Sequence, residues 1–423
     1  MEVGGGCFLG GWRLVSLTTV GQMVPGEVGS LSKNKAFWSM VTVPFLWALS
    51  NSMIIAVLPD IQTALRISPG RAGLLTTSLS IPTAILLPVA GVLSDRYGRK
   101  TIMVPGVILY GLGGALIGSF AALGPIPYWG ILAGRVVQGI GAAGMTLVAM
   151  ALAADLFQGE ERVRVLGILE ASNSLGKLVS PILGTLAVGW AWYAPFLTYP
   201  ILSGVGVVSL ILGIKSPPST GRENSLRRYF QDLSQAVASE TLKLVGTYSL
   251  ALITIILWFG GLSATSQLLD KAKISGTYRG VLLAIPVLLV IITDLLASRY
   301  GRPEWFPYFI ASGLVAMALG QMGLGHLRSP FPVILALSLG ALAIGLVMPV
   351  LNSLITSAVA QGQRGAVTTT YGSVRCLGSA LGPPLYGFFM DSYGIWLFLF
   401  AAVLSLGAGV AGFFLMRRLK VGV

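Results

Sequence analysis

Apolar stretches without a single charged residue recur along the whole chain. The first two show the pattern: residues 36–59 lie between Lys35 and Asp60, and residues 72–94 lie between Arg71 and Asp95. A helix needs about 20 apolar residues to cross the hydrocarbon core of a bilayer. The chain is 54% hydrophobic and only 10% charged, which is far less charge than the surface of a soluble protein carries. These observations predict an all-α membrane protein.

Charge-free or largely apolar stretches of this length predict twelve transmembrane helices. The predicted spans cover residues 36–59, 72–94, 101–123, 130–156, 164–190, 193–214, 244–266, 278–297, 305–325, 331–358, 365–389 and 393–416. Turn-forming sequences separate the closest pairs: GPIP at 124–127 and GWAWYAP at 189–195.

The two halves of the chain repeat each other. SDRYGRK at 94–100 returns as SRYGRPE at 298–304, and the pair Gly176 and Pro181 returns as Gly378 and Pro383. Two motifs with nearly the same offset indicate a duplicated unit. We therefore expect two pseudo-symmetric six-helix bundles at 34–214 and 244–423, the architecture of many secondary transporters.

The distribution of cations predicts the orientation. If residue 1 is inside the cell, 19 of the 28 lysines and arginines fall in inner segments, and Arg279 is one of the six in outer segments. This positive-inside bias predicts that both termini are cytoplasmic in a multi-pass protein of the cell inner (plasma) membrane. The loop at 215–243 would also be cytoplasmic, and its apolar residues at helical spacing predict a short helix lying on the membrane surface.

The first 33 residues carry only a weak signal-peptide pattern. We expect them to form a disordered cytoplasmic leader, although a natural start at Met23 is an alternative. No disulfide is predicted, because Cys7 lies near the start of the sequence and Cys376 lies within a predicted span. The sequence holds one histidine, no P-loop and no catalytic or metal-ligand cluster, so we expect neither enzyme activity nor a cofactor. Nucleic-acid binding is not expected, because the sequence has no basic run with interleaved aromatic residues.

An acidic residue interrupts a cationic turn in GVLSDRYGRK, at residues 91–100. This loop matches the first signature of the major facilitator superfamily, and the chain resembles that family over essentially its whole length after residue 34. The resemblance implies a cytoplasmic gate between the halves formed by Asp95, Arg96 and Arg99, with Asp155 as the partner of Arg99. A plain topology anchor is the alternative.

Two further signatures point to the drug:proton antiporter branch of that family. RVVQGIGAAG at 135–144 resembles its second signature, which implies that Arg135 influences proton binding; an arginine that extends to the outer interface is the alternative. Residues 167–185 resemble the third signature. Its small residues and helix-bending proline would let a neighbouring helix approach closely. The matching positions are Gly167, Gly176, Ser180, Pro181 and Gly184; Ser180 and Thr185 stand where the signature has glycine.

Two charges lie inside the fifth predicted span, where a charge costs at least a few kcal/mol. Glu170, Asn173, Lys177 and Pro181 follow helical spacing and therefore share one face of the helix. Glu170 and Lys177, alone or through Asn173, are thus expected to form either a structural ion pair or a proton-coupling switch.

Other polar residues are candidates for a substrate cavity. Arg375 lies in the middle of its predicted span, with hydrogen bonding to backbone carbonyls as the alternative role. Asp294 stands where the repeat of Gly91 would be, and an ion pair with Arg302 is the expectation for it. The full set of predicted cavity residues is Asn51, Tyr248, Trp258, Asn352, Tyr371 and Arg375.

The expected function is proton-coupled transport of a small-molecule substrate by a monomer embedded in the lipid bilayer. Export of small amphipathic compounds is the first expectation, by resemblance to drug efflux. An anionic or siderophore-like metabolite is the alternative, because Arg135, Lys177 and Arg375 outnumber Glu170 among the deep charges. A non-transporting sensor or lipid-handling protein on the same fold is a rival of another class, and a transport assay separates it from the others.

Overall fold

The structure is a computed structural model that describes residues 35–124, 127–157, 159–214, 225–359 and 363–419; the expected leader at 1–33 lies outside these ranges. The described residues form fourteen α-helices and no strand. They are α1 (Lys35–Leu65), α2 (Pro69–Tyr97), α3 (Arg99–Leu123), α4 (Tyr128–Ala143), α5 (Thr146–Leu156), α6 (Gly159–Val188), α7 (Ala194–Gly213), α8 (Leu226–Ser239), α9 (Thr241–Lys271), α10 (Gly276–Tyr300), α11 (Phe306–His326), α12 (Pro330–Ser357), α13 (Arg364–Tyr393) and α14 (Ile395–Arg418).

Within the described ranges, ten helical segments are long and apolar enough to cross a membrane. Helices α6 and α13 are also long enough, with 30 residues each, but polar residues interrupt their apolar sequences. These two helices contain Glu170, Lys177 and Arg375, which the sequence predicted to face the protein interior. The predicted series of twelve spans is therefore consistent with the fold.

The fourth predicted span is divided in the structure. Helix α4 ends at Ala143 and α5 begins at Thr146. At the junction, the amides of Gly144 and Met145 bond carbonyls only three residues earlier, at Gly141 and Ala142. Such bonds tighten the last turn of a helix. The predicted span at 130–156 is therefore present as one crossing segment built from two helices.

Each half of the chain has its own hydrophobic core. One core is formed by the helices from α1 through α7, and the other by the helices from α9 through α14. Ile55 and Ala56 of α1 belong to the second core, so the two halves also share apolar packing. Across the interface α2 packs along α13, and α6 packs along α10.

The two ends of the bundle differ. We call the end that carries α8 the linker end, and the opposite one the far end. Hydrogen bonds between described residues of the two halves lie at mid-depth or toward the far end: Thr77 Oγ1 donates to the Ala380 carbonyl (2.6 Å), and Ser266 Oγ donates to the Ala56 carbonyl (3.0 Å). At the linker end, a Cβ added to Gly91 would meet no atom within 4 Å. The halves therefore meet at the far end and part toward the linker end.

Helix α8 is amphipathic, as the sequence predicted, and its buried side faces the second half. The Tyr229 hydroxyl donates to the Ala366 carbonyl (3.2 Å) and lies 2.7 Å from Thr370 Oγ1, both on α13. Burial raises the pKa of the Tyr229 hydroxyl, so it stays protonated as a donor near neutral pH. Phe230, one of the apolar residues of α8, is 61% exposed.

Candidate functional site

The polar face of α6 forms one wall of the candidate site. Asn173 is buried, and its Nδ2 donates to Glu170 Oε1 at 3.4 Å. Glu170 itself is exposed and Lys177 is half-buried. The helical spacing that placed these residues on one face is thus realised, and the face turns toward the space between the halves.

The second half supplies two more charges to the same place. Lys177 of α6 lies within electrostatic range of Glu170, Asp294 of α10 and Arg375 of α13. Asp294 in turn interacts with Glu170, Lys177 and Arg375. We call these four residues the charge cluster. It contains two acids and two cations, and it draws one residue pair from each half of the protein.

The expected ion pair between Asp294 and Arg302 was wrong. The Arg302 guanidinium lies 6.0 Å from the centroid of the Trp305 ring, and Asp294 faces the charge cluster instead. The physical reason is position: five residues of α10 lie between Asp294 and Tyr300, at which the helix ends before Arg302. Asp294 instead lies within range of Glu170, Lys177 and Arg375.

Two tyrosines support Arg375. Its guanidinium lies 5.7 Å from the centroid of the Tyr371 ring, a cation–π distance. Tyr371 stacks on Tyr248 of α9 with centroids 6.4 Å apart, and the Tyr248 hydroxyl donates to the Val367 carbonyl (3.1 Å). These contacts fix the part of α13 that presents Arg375.

The remaining predicted cavity residues are more dispersed. Trp258 is 6% exposed, belongs to the core of the second half and lies against Gly340, so its role here is packing. Asn352 is exposed near the linker end of α12. The side chain of Asn51 lies outside what the structure describes.

The third signature works through close helix packing. A Cβ added to Gly176 would lie 2.7 Å from the Phe45 carbonyl oxygen, and one added to Gly184 would lie 2.7 Å from Met53, both on α1. Ser180 is fully buried. Gly167 has nothing within 4 Å of such a Cβ, so it is not a packing position in this state.

The same segment also touches the other half. A Cβ added to Gly280 of α10 would lie 2.6 Å from the Pro181 carbonyl oxygen and closer still to the side chain of Thr185. Glycine at 280 therefore allows α10 to approach α6 near the far end. The third signature thus joins α1 on one side and α10 on the other.

The predicted gate residues form a cluster at the linker end. Arg99 Nε donates to Asp155 Oδ2 at 2.9 Å, Arg99 Nη1 donates to Ser94 Oγ at 2.7 Å, and the guanidinium also pairs with Asp95. Arg96 is exposed and stacks on the Tyr97 ring. The pairing of Arg99 with Asp155 is present, and these contacts join helices of the first half.

Arg135 lies apart from the charge cluster. It is fully buried, with Nε donating to the Leu75 carbonyl (3.0 Å) and Nη1 donating to Gln138 Oε1 (2.9 Å). Tyr199 also interacts with it. The alternative of an arginine extending to the interface is therefore excluded, and the deep-cation count must be revised because Arg135 does not face the cluster.

Sequence reasoning missed a buried ion pair at the far end. Arg279, expected in an outer segment, is 1% exposed and contacts Asp60 of α1 and Asp270 of α9. The signal in the sequence was that each acid ends an apolar stretch. No group of three or more His, Cys, Asp or Glu in the described ranges is placed to hold a metal ion.

The two helical halves meet at the far end, and charges from both halves face each other in the space between them. This arrangement defines a multi-pass membrane transporter rather than an enzyme. Residues 40–383 match the Major Facilitator Superfamily, and the chain belongs to that family.

Relatives named for export and for drug resistance share most of this chain. It is 32% identical to the "Bacillibactin exporter" of Bacillus subtilis (strain 168), over 87% of this chain and 93% of that protein. It is 26% identical to "Tetracycline resistance protein, class C" of Escherichia coli, over 84% and 89%. A crystal structure of a bacterial homolog to the human lysosomal transporter Spinster, inward-facing and unoccupied, has a TM-score of 0.72 at 16% identity and covers 92% of this chain and 98% of its own. This last likeness shows the fold.

Proposed function

We propose that the protein is a proton-coupled exporter of small amphipathic compounds, working by alternating access. The single observation that carries the proposal is the charge cluster, in which Glu170 and Asp294 share one site with Lys177 and Arg375 across the two halves. The relatives that bear the words tetracycline resistance and exporter in their names support export.

The composition of the charge cluster favours an exchange of substrate for protons. A positive group on the substrate binds more tightly while Glu170 and Asp294 are charged, whereas a proton bound to either acid removes one of those charges. Proton and substrate therefore weaken each other's binding, and the weakening is reciprocal because it is a coupling free energy between two ligands. A carrier that binds one or the other, but not both, exchanges them across the membrane.

The direction of transport follows from the orientation that the cations predict. With the linker end in the cytoplasm, the described state opens its charge cluster to the cytoplasm and closes it at the far end. Substrate would enter here and release the protons. Opening of the far end would then release the substrate and admit new protons.

The proposal is tested with purified protein in liposomes. The assays are uphill transport of an amphipathic cation such as ethidium under an imposed pH gradient, and counterflow of the same compound without a gradient. We expect Glu170→Gln and Asp294→Asn each to lower uphill transport at least about fivefold, the low end of typical coupling between two ligands, while counterflow persists. Each variant removes an acid for which the proton and the substrate compete.

Asp391→Asn is the matched control. Asp391 is an exposed far-end acid that pairs with Lys271 at 3.1 Å, so its loss should change neither assay. If Glu170→Gln and Asp294→Asn both retain uphill transport, the charge cluster does not couple protons. If they lose counterflow as well and are thermally unstable, the cluster is a structural ion-pair network.

A second candidate is the export of an anionic, siderophore-like compound. It is favoured by Lys177 and Arg375 in the charge cluster and by the 32% identity to a protein named for bacillibactin export. An anion binds better when an acid of the cluster is protonated, so proton and anion would strengthen each other's binding and move together. A rise in anion affinity with falling pH would support this candidate, and a fall in cation affinity over the same range supports the first.

A further inference from the structure

Among the described residues, an ion pair that joins the two halves lies at the far end, away from the charge cluster and from the predicted gate at the linker end. Arg279, in the first turn of α10, has 1% of its side chain exposed. Its Nη1 donates to Asp270 Oδ1 at 2.6 Å, and its Nη2 pairs with Asp60 Oδ2. Its buried Nε has no partner among the described residues.

The two acids are not equivalent. Asp270 lies at the end of α9 and Arg279 at the start of α10, so these residues belong to the same half and move together. Asp60 is on α1, in the other half. The pair of Arg279 with Asp60 is therefore the one that must break when the far end opens, and Asp270 holds the guanidinium in place in either state.

The burial of Arg279 makes this pair depend on the closed state. An unpaired buried charge is strongly unfavourable, so with the far end closed Arg279 requires its acids. With the far end open, water would reach the guanidinium and the requirement would lapse. The tight approach of Gly280 to the Pro181 carbonyl and to Thr185 seats the start of α10 against α6, which fixes where Arg279 points.

The geometry points to Arg279 as the far-end gate residue of the transporter: it locks the closed state through Asp60 and is positioned by Asp270. Substitution of Asp60 or Arg279 shifts the protein toward a state open at the far end. Substitution of Asp270 has a smaller effect, because the bond between the halves remains. This inference concerns the closing contact and holds whatever the transported compound is.

The test is pulsed EPR on the full chain with spin labels at Ala64→Cys and Ser392→Cys, two exposed far-end positions on α1 and α13, after both natural cysteines are replaced by serine. We expect Asp60→Asn and Arg279→Gln each to raise the ratio of long to short label distances by about tenfold or more, as for loss of a partner from a buried ion pair. The double variant Asp60→Asn/Arg279→Gln should shift no further than the larger single effect, because both changes break one contact. Asp60→Glu, which keeps the charge, should restore most of the closed population.

Lys271→Gln is the matched control. Lys271 pairs with Asp391 at the same end, but both side chains are more than half exposed and both belong to the second half. It should leave the distances unchanged. Unchanged distances in Asp60→Asn would overturn the inference, as would additive shifts in the double variant. If Arg279→Gln does not fold, Asp60→Asn and Asp60→Glu still decide the outcome.

Discussion

At the scale of single residues, the interior cations of this protein have distinct roles that follow from their partners. Arg135 is enclosed within the first half and donates to the Gln138 side chain and the Leu75 carbonyl. Lys177 instead interacts with Asp294 across the interface, and Arg375 interacts with Asp294 of its own half and with Lys177 of the other. A cation enclosed in one half stabilises that half in every state, whereas one at the interface can change partners during transport.

Replacing Arg135 tests its structural role. Arg135→Met keeps most of the volume but leaves the Gln138 amide oxygen without its donor, and an unsatisfied buried group costs about 1–3 kcal/mol. We expect a clear drop in the thermal unfolding midpoint in detergent. Arg96→Met, at an exposed arginine of the linker end, should unfold as the wild type does. Equal midpoints for both variants would mean that the hydrogen bonds of Arg135 contribute nothing to stability.

Helical spacing alone could predict residue positions only within one helix. Helical spacing placed Glu170, Asn173 and Lys177 on one face, because a period of 3.6 residues is a local property. It could not place Asp294 beside them, since that contact joins helices that are far apart in sequence. The nearby cation Arg302 was chosen instead, and the actual partners depend on how α10 packs against α6 and α13.

At the scale of helices, glycines decide which pairs come close. Gly176 faces the Phe45 carbonyl and Ala48 of α1, and its repeat Gly378 faces Ile255 and the Leu252 carbonyl of α9. The duplicated motif thus makes the same kind of contact in both halves. Helix association in a bilayer depends on such close packing rather than on exclusion of water.

Two glycines on α6 allow the effect of helix packing to be distinguished from the effect of helix propensity. Gly176→Val introduces side-chain atoms within 3 Å of the Phe45 carbonyl and Ala48, so α1 and α6 must separate. Gly167→Val, on the same helix, meets no atom within 4 Å. We expect a loss of about 1–3 kcal/mol for Gly176→Val, the usual cost of overpacking, and little change for Gly167→Val. Denaturation in detergent measures both, and similar losses would show that α6 does not pack through Gly176.

Helix existence was predictable and helix continuity was not. Charge-free length is a strong signal in a membrane protein because the bilayer fixes the distance to be crossed. At the break between α4 and α5, the amides of Gly144 and Met145 bond carbonyls three residues earlier instead of four. Hydropathy cannot predict this change in the backbone hydrogen bonds. Helices α6 and α13 show the converse: their polar residues weaken the signal of a span because those residues face the other half.

At the scale of the whole molecule, the contacts that close the described state lie at one end, the far end. The far end is closed by α2 against α13 and by the Arg279 pair, whereas the Arg99 cluster at the linker end joins helices of the first half. A transporter that alternates must exchange these far-end contacts for new contacts between the halves at the linker end. Backbone contacts that form only when the far end is closed therefore control the balance between the closed and open states of the transporter.

Gly73 of α2 provides such a contact. A Cβ added there would lie 2.5 Å from the backbone nitrogen of Pro384 on α13, and a backbone atom cannot move aside as a flexible side chain does. Gly73→Val should thus prevent closure of the far end without disturbing either half, because the conflict disappears when α2 and α13 separate there. We expect the distance between spin labels at Ala64→Cys and Ser392→Cys to lengthen in most molecules. Gly91→Val, near the other end of α2, meets nothing within 4 Å and should retain the short distance. A short distance in a folded Gly73→Val protein would mean that the far end closes by another arrangement of α2 and α13.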